Sequence, residues 1–109
     1  MLRHVYVSSQ TVTSSPPWAA DVRAPEFSIG FGVIKTGGGD RTFTVQHTFD
    51  NILASASANA NATWFDHSSV SGKTASIDGN YAFPVNAVRI NITAGSASAT
   101  VALMLNQSG

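Results

Sequence analysis

The sequence predicts an all-β fold, an antiparallel β-sandwich or jelly roll of about seven or eight short strands, in a single domain spanning residues 1–109. Three observations carry that prediction. Apolar residues alternate with small polar ones in several separate runs, and successive side chains of a strand point to opposite faces. Breaks rich in Gly, Pro, Ser and Asp separate these runs at short intervals. No stretch carries the 3.6-residue period of an amphipathic helix.

Arg3 to Ser8 is the first expected strand, with Val5 and Val7 on one face and His4, Tyr6 and Ser8 on the other. Ser14-Ser15-Pro16-Pro17-Trp18 breaks regular structure, because proline fixes φ and lacks a backbone donor, and Ala24-Pro25 repeats the break. Residues 1–26 are therefore also open to reading as an irregular N-terminal arm. Phe27, Ile29, Phe31 and Val33 alternate with Ser28, Gly30 and Gly32, and the bare glycine face predicts something large, such as an aromatic ring, lying across it. Lys35 to Asp40, with three glycines, is an expected turn. Thr42 to Phe49 sets Phe43, Val45, His47 and Phe49 against Thr42, Thr44, Gln46 and Thr48.

Ala54 to Thr63 alternates alanine with serine or asparagine and has no side chain large enough to anchor a register, which predicts a loop or an extended arm. Trp64 and Phe65 then restore apolar bulk, with Trp64 expected as a core plug. Thr74–Ile77 and Asn80–Phe83 flank Asp78-Gly79, a pair suited to a type I′ hairpin turn. Pro84 belongs at an edge or a strand start.

The last two runs are the most informative. Val88, Ile90 and Ile92 alternate with Arg89, Asn91 and Thr93; Ala97, Ala99, Val101, Leu103 and Leu105 alternate with Ser98, Thr100, Ala102, Met104 and Asn106. Ala94-Gly95-Ser96 between them predicts a hairpin. From Gly79 onward Arg89 is the one charged side chain. Water-facing strands usually carry Lys, Glu or Arg, which blunt edge pairing. A face that instead offers Ala102 and Met104 predicts cover by another chain. Arg89, Asn91, Thr93, Thr100, Ala102 and Met104 are the candidate interface residues.

Composition points the same way. Charged residues make up 11% of the chain, against about 25% in typical globular proteins. Fifteen Ala, fourteen Ser, ten Thr and seven Asn take their place, and the formal net charge is zero. A neutral surface lacks the self-repulsion that keeps monomers apart. Six basic residues scattered from Arg3 to Arg89 and matched by six acids form no basic stripe, so no nucleic-acid partner is expected. Without cysteine there is no disulfide framework and no thiolate zinc site. Met1-Leu2-Arg3-His4-Val5 runs into Tyr6 and Ser8 rather than an apolar segment, so no signal peptide is expected. No apolar stretch approaches membrane-spanning length, and no membrane partner is expected.

Chemical motifs are weak. Gly72-Lys73-Thr74 resembles the tail of a phosphate-binding loop, but His67 stands where that loop needs its first glycine. Gly30-Phe31-Gly32 lacks the third glycine of a dinucleotide fingerprint, position 35 being Lys35. His4, His47 and His67, with Asp50 and Asp66, match no compact metal-ligand spacing. His47 shares a face with apolar neighbours and reads as a hydrogen-bonded core or rim histidine, while Asp66-His67 reads as an Asx-type cap. No serine sits in a nucleophile elbow, so no catalytic residue, metal or cofactor is expected. Asn61-Ala62-Thr63 and Asn91-Ile92-Thr93 match the glycosylation pattern, as chance does in an Asn- and Thr-rich chain. Trp18, Trp64 and Tyr81 are the aromatics that could stack on a sugar, although packing Trp18 onto the sandwich is the simpler role.

Four segments, in order, carry a resemblance: Val22 to Gly30, Thr42 to Asp50, Ala62 to His67 and Ala82 to Gly95. In this spacing the chain, from about Pro16 to Gln107, resembles small virion structural proteins of tailed bacteriophages. The resemblance implies a β-sandwich or jelly-roll subunit similar to capsid decoration (cement) proteins, which sit as trimers over capsomer joints. The implied partners are further copies of the chain, as a homotrimer, and the major capsid protein or other virion proteins. The implied location is the phage particle, assembled in the host cytoplasm. The alternative is a head-to-tail adaptor, or a fibre or tail module that binds a receptor or glycan.

Overall fold

A computed structural model of the chain describes residues 2–8, 13–15, 17–20, 28–37, 41–53, 60–81, 84–95 and 100–108. These form nine strands: β1 (Leu2–Ser8), β2 (Thr13–Ser14), β3 (Trp18–Ala19), β4 (Ser28–Thr36), β5 (Arg41–Thr48), β6 (Trp64–Asp66), β7 (Ile77–Tyr81), β8 (Ala87–Gly95) and β9 (Thr100–Ser108). They pair antiparallel in two sheets. The first runs β1-β9-β4-β7; the second runs β2-β8-β5-β6, with β3 also pairing with β8.

The pairings nest. β1 joins β9, β2 and β3 join β8, β4 joins β7, and β5 joins β6. The chain is one long antiparallel ribbon, doubled back between β5 and β6 and rolled so that each arm alternates between sheets. That is the order of a jelly roll, and the expected all-β sandwich is the observed fold. Between the sheets lie the inward faces of four strands: Ile29, Phe31 and Val33 of β4, Phe43 and Val45 of β5, Val88, Ile90 and Ile92 of β8, and Val101, Leu103 and Leu105 of β9. Burying a side chain of this kind contributes about 1.5–3 kcal/mol, so the alternation read in the sequence sets which face turns inward.

Several local expectations give way to tertiary structure. β8 and β9 form no hairpin: β8 pairs with β5 and β9 with β4, in different sheets. Asp78-Gly79 is no turn but lies inside β7, where Gly79 opposes Phe31. A Cβ at Gly79 would stand 2.7 Å from Phe31 Cζ, so the glycine makes room for the ring of a neighbouring strand. Among the described residues no aromatic ring covers Gly30 and Gly32: nothing comes within 4 Å of a Cβ at Gly30, and Gly32 meets only Met104 Cε at 3.8 Å.

Where it is described, the N-terminal segment is no irregular arm, since β1 joins the first sheet and β2 and β3 the second. β1 also turns the face opposite to an apolar-in pattern. Val5 and Val7 are 47% and 60% exposed, while Tyr6 packs on the core and His4 stacks on Trp18 at 6.3 Å. Phe49 lies beyond the end of β5 and is 53% exposed. Phe27, Phe83 and most of the alanine-rich stretch, residues 54–59, lie outside the described residues.

Candidate functional site

The two sheets present two outward faces of different chemistry. On the first sheet the register aligns Val7, Ala102 and Ile34 across β1, β9 and β4, and in the next row Val5, Met104 and Gly32. Val5, Val7 and Ile34 are exposed; Ala102 and Met104, flanked on both sides, are half-buried. Among the described side chains on this face Asp78, on the edge strand β7, is the one charge. Thr36, Thr100, Asn80 and Asn106 supply an uncharged polar margin. The result is a flat apolar patch three strands wide, of the kind that marks a protein contact.

The second sheet's outward face is polar and internally bonded. Gln46 Nε2 donates to Asp66 Oδ1 at 2.9 Å, and Arg89 Nε donates to Gln46 Oε1 at 2.8 Å, which links β6, β5 and β8 in one row. The Arg89 guanidinium lies 4.3 Å from the centroid of the Trp64 ring. Partial burial pulls the Arg89 guanidinium below its usual value, and the ring face offsets part of the lost hydration.

The candidate interface residues therefore divide. Thr100, Ala102 and Met104 lie on the apolar face of the first sheet, whereas Arg89, Asn91 and Thr93 lie on the polar face of the second, across the sandwich. Only a β8–β9 hairpin would set all six on one face, and that hairpin does not form. Sequence reading missed Val5, Val7 and Ile34 as members of the apolar patch. The signal for Ile34 is its place in the Ser28, Gly30, Gly32 alternation. β1 has no such signal, because His4 and Tyr6 are as able to turn inward as two valines.

The three aromatics meet different fates. Tyr81 is fully buried and cannot stack on a ligand. Trp18 faces inward and packs against the core. Trp64 pairs with Thr48 on the outward face and is half-buried beneath Arg89, not a core plug.

Tyr81 also organises the histidines. Its hydroxyl is 3.0 Å from His47 Nδ1. Burial, with Asp66 adding to it, pushes the Tyr81 phenol far above its usual value, so the hydroxyl keeps its proton. His47, a buried histidine as expected, is held below the usual imidazole range by burial first and by His67 second, against a smaller opposing pull from Asp66. His67, not Asp66, caps the turn after β6: the Ser69 backbone N–H donates to His67 Nδ1 at 3.1 Å, leaving Nε2–H to donate to the Asn80 carbonyl at 3.0 Å. Gln46 thus bonds Asp66, and Tyr81 bonds His47.

Gly72-Lys73-Thr74 forms no phosphate loop. Gly72 has φ 61° and donates its N–H to Thr44 Oγ1 at 2.9 Å, and Lys73 bridges to Phe43. Among the described residues no group of three or more His, Cys, Asp or Glu side chains is placed to hold a metal ion, and no helix is long and apolar enough to cross a membrane.

The jelly-roll fold and the apolar rows on the outward face of its first sheet are the main features of this chain. No protein-family model matches it, and neither does any curated protein.

Proposed function

We propose that the chain is a structural subunit of a bacteriophage particle, a capsid decoration or cement protein that stabilises the head through self-association and contacts with the major capsid protein. The observation that carries this reading is the outward face of the first sheet, where Val5, Val7 and Ile34 stay exposed beside Ala102 and Met104 in a chain of zero net charge. An exposed apolar sheet face costs solubility unless it is covered. In a closed symmetric shell many copies of one modest contact add up, so weak pairwise affinity suffices. Jelly rolls recur in viral capsid proteins, an analogy at the level of fold alone.

The second reading is a head-to-tail adaptor, or a fibre or tail module binding a receptor or glycan. Its support is narrower: of the three aromatics considered for sugar stacking, Trp64 alone stands on an outward face, under Arg89.

Quantitative mass spectrometry of purified particles separates the two readings. About one copy per major capsid protein supports decoration. A few copies per particle assign the chain to an adaptor, fibre or tail, and absence from particles refutes both.

A further inference from the structure

Among the described residues nothing explains Gly30 and Gly32. Neither has a positive φ, which among the described glycines belongs to Gly37 and Gly72. Neither is forced by packing: a Cβ at Gly30 meets nothing within 4 Å, and one at Gly32 meets only the flexible end of Met104. Gly79 shows the contrast, since its missing Cβ leaves room for Phe31. Glycine inside a strand costs about 0.5–1 kcal/mol relative to alanine. Two such positions, two residues apart and both outward on β4, form a shallow trough beside raised neighbours.

The raised neighbours stand in matching rows. Val5 on β1, Met104 on β9 and Gly32 on β4 share one row, bulk at one side and none at the other, with β9 between. A two-fold axis along β9, in the contact plane, places β1 of one copy over β4 of the other. The same rotation sets Val5 over Gly32 of its mate, brings Met104 against Met104, and leaves Ala102 facing Ala102. In that row the bulk of each copy fills the gap of the other, while in the neighbouring row Val7 stands over Ile34.

We infer that the first sheet's outward face pairs with the same face of a second copy, in an isologous two-fold contact centred on β9. The inference rests on the self-association proposed above and assigns its surface and symmetry. The area is modest: the rotation overlaps three strands, β1, β9 and β4, over seven to nine residues each, and spacings of about 4.8 and 3.3 Å give a flat footprint of roughly 360 Å². That is the scale of a weak contact, below the roughly 800 Å² per partner of a standard specific interface, and one that repetition in a shell reinforces. With Asp78 alone charged among its described side chains, the face sets no like charges against each other near the axis.

The test is the solution mass of the purified full chain by light scattering across a dilution series. The expected result is twice the 11.4 kDa chain mass, or an even multiple of it. Val5→Lys and Gly32→Val should each raise the dissociation constant roughly tenfold or more, since a two-fold contact contains every change twice. Gly32→Val keeps its fold by circular dichroism, because its new Cβ meets only Met104 Cε at 3.8 Å. The chain has no cysteine, so Met104→Cys with a short bis-maleimide should cross-link two chains, while Asn91→Cys on the opposite sheet should not. A monomer at every concentration, a trimer, or cross-linking through Asn91→Cys overturns the inference. The particle-composition measurement stands apart from these outcomes, so a wrong surface and a wrong role are told apart.

Discussion

Gly79→Ala isolates the least obvious requirement of the fold. The added Cβ would stand 2.7 Å from Phe31 Cζ and 3.2 and 3.3 Å from the two Cε atoms. Carbon atoms rest about 3.5–4.0 Å apart, so the ring must retreat by about 1 Å. Behind it sit Tyr81 and His67, with ring centroids at 5.6 and 5.1 Å, and the retreat compresses both. Overpacking of this kind costs about 1–3 kcal/mol, while replacing a strand glycine returns about 0.5–1 kcal/mol. The expected net loss is about 1–2 kcal/mol, a fall in Tm of about 5–12 °C for a domain of this size. Urea and thermal unfolding, followed by circular dichroism at one protein concentration, read it directly. Phe31→Leu should cost about 1–3 kcal/mol alone, by leaving a void. Combined with Gly79→Ala it should cost less than the two losses summed, by about 1 kcal/mol, because the new methyl occupies space the ring vacated. Wild-type stability in Gly79→Ala, or strict additivity in the double variant, would refute the claim that the glycine serves the ring.

Two further outcomes follow from the side-chain network. His47 binds its proton more weakly folded than unfolded, so its contribution to stability is complete above the unfolded value of about 6.5 and is lost as pH falls from there through the lower folded value. In His47→Gln the urea midpoint should fall less between pH 7 and pH 5 than in wild type; an unchanged slope assigns the dependence to other groups. Arg89→Ala uncovers Trp64 and removes a cation–π contact of about 0.5–1 kcal/mol. Acrylamide quenching of tryptophan fluorescence should rise, and no rise means that the guanidinium does not shield the ring in solution.

Faces were legible in the sequence, and partners were not. β4, β5, β8 and β9 turn inward the residues their alternation assigns, because burying an apolar row outweighs any local preference. The link from Gly95 to Thr100 suits a hairpin as well as a passage between sheets about 10 Å apart, and the pattern of the flanking strands is the same in both cases. Asp78-Gly79 carries a strong turn signal, overridden by Phe31, a residue far away in sequence. At the candidate site Ala102 and Met104 were visible as unusual outward residues. Val5 and Val7 were not, because the inward place of His4 and Tyr6 depends on Trp18 and the core beneath them.

The nested ribbon has a consequence for the order of folding. β5 and β6 meet across about sixteen residues, whereas Val5 and Met104 are about a hundred residues apart. Closing the longer loop first would cost about 1.6 kcal/mol more in chain entropy, which favours a roll that zips from its inner turn outward, with β1 docking last. Val5 and Val7 arrive only with that final strand. On that route the apolar rows of the first sheet are complete only once the whole roll has closed.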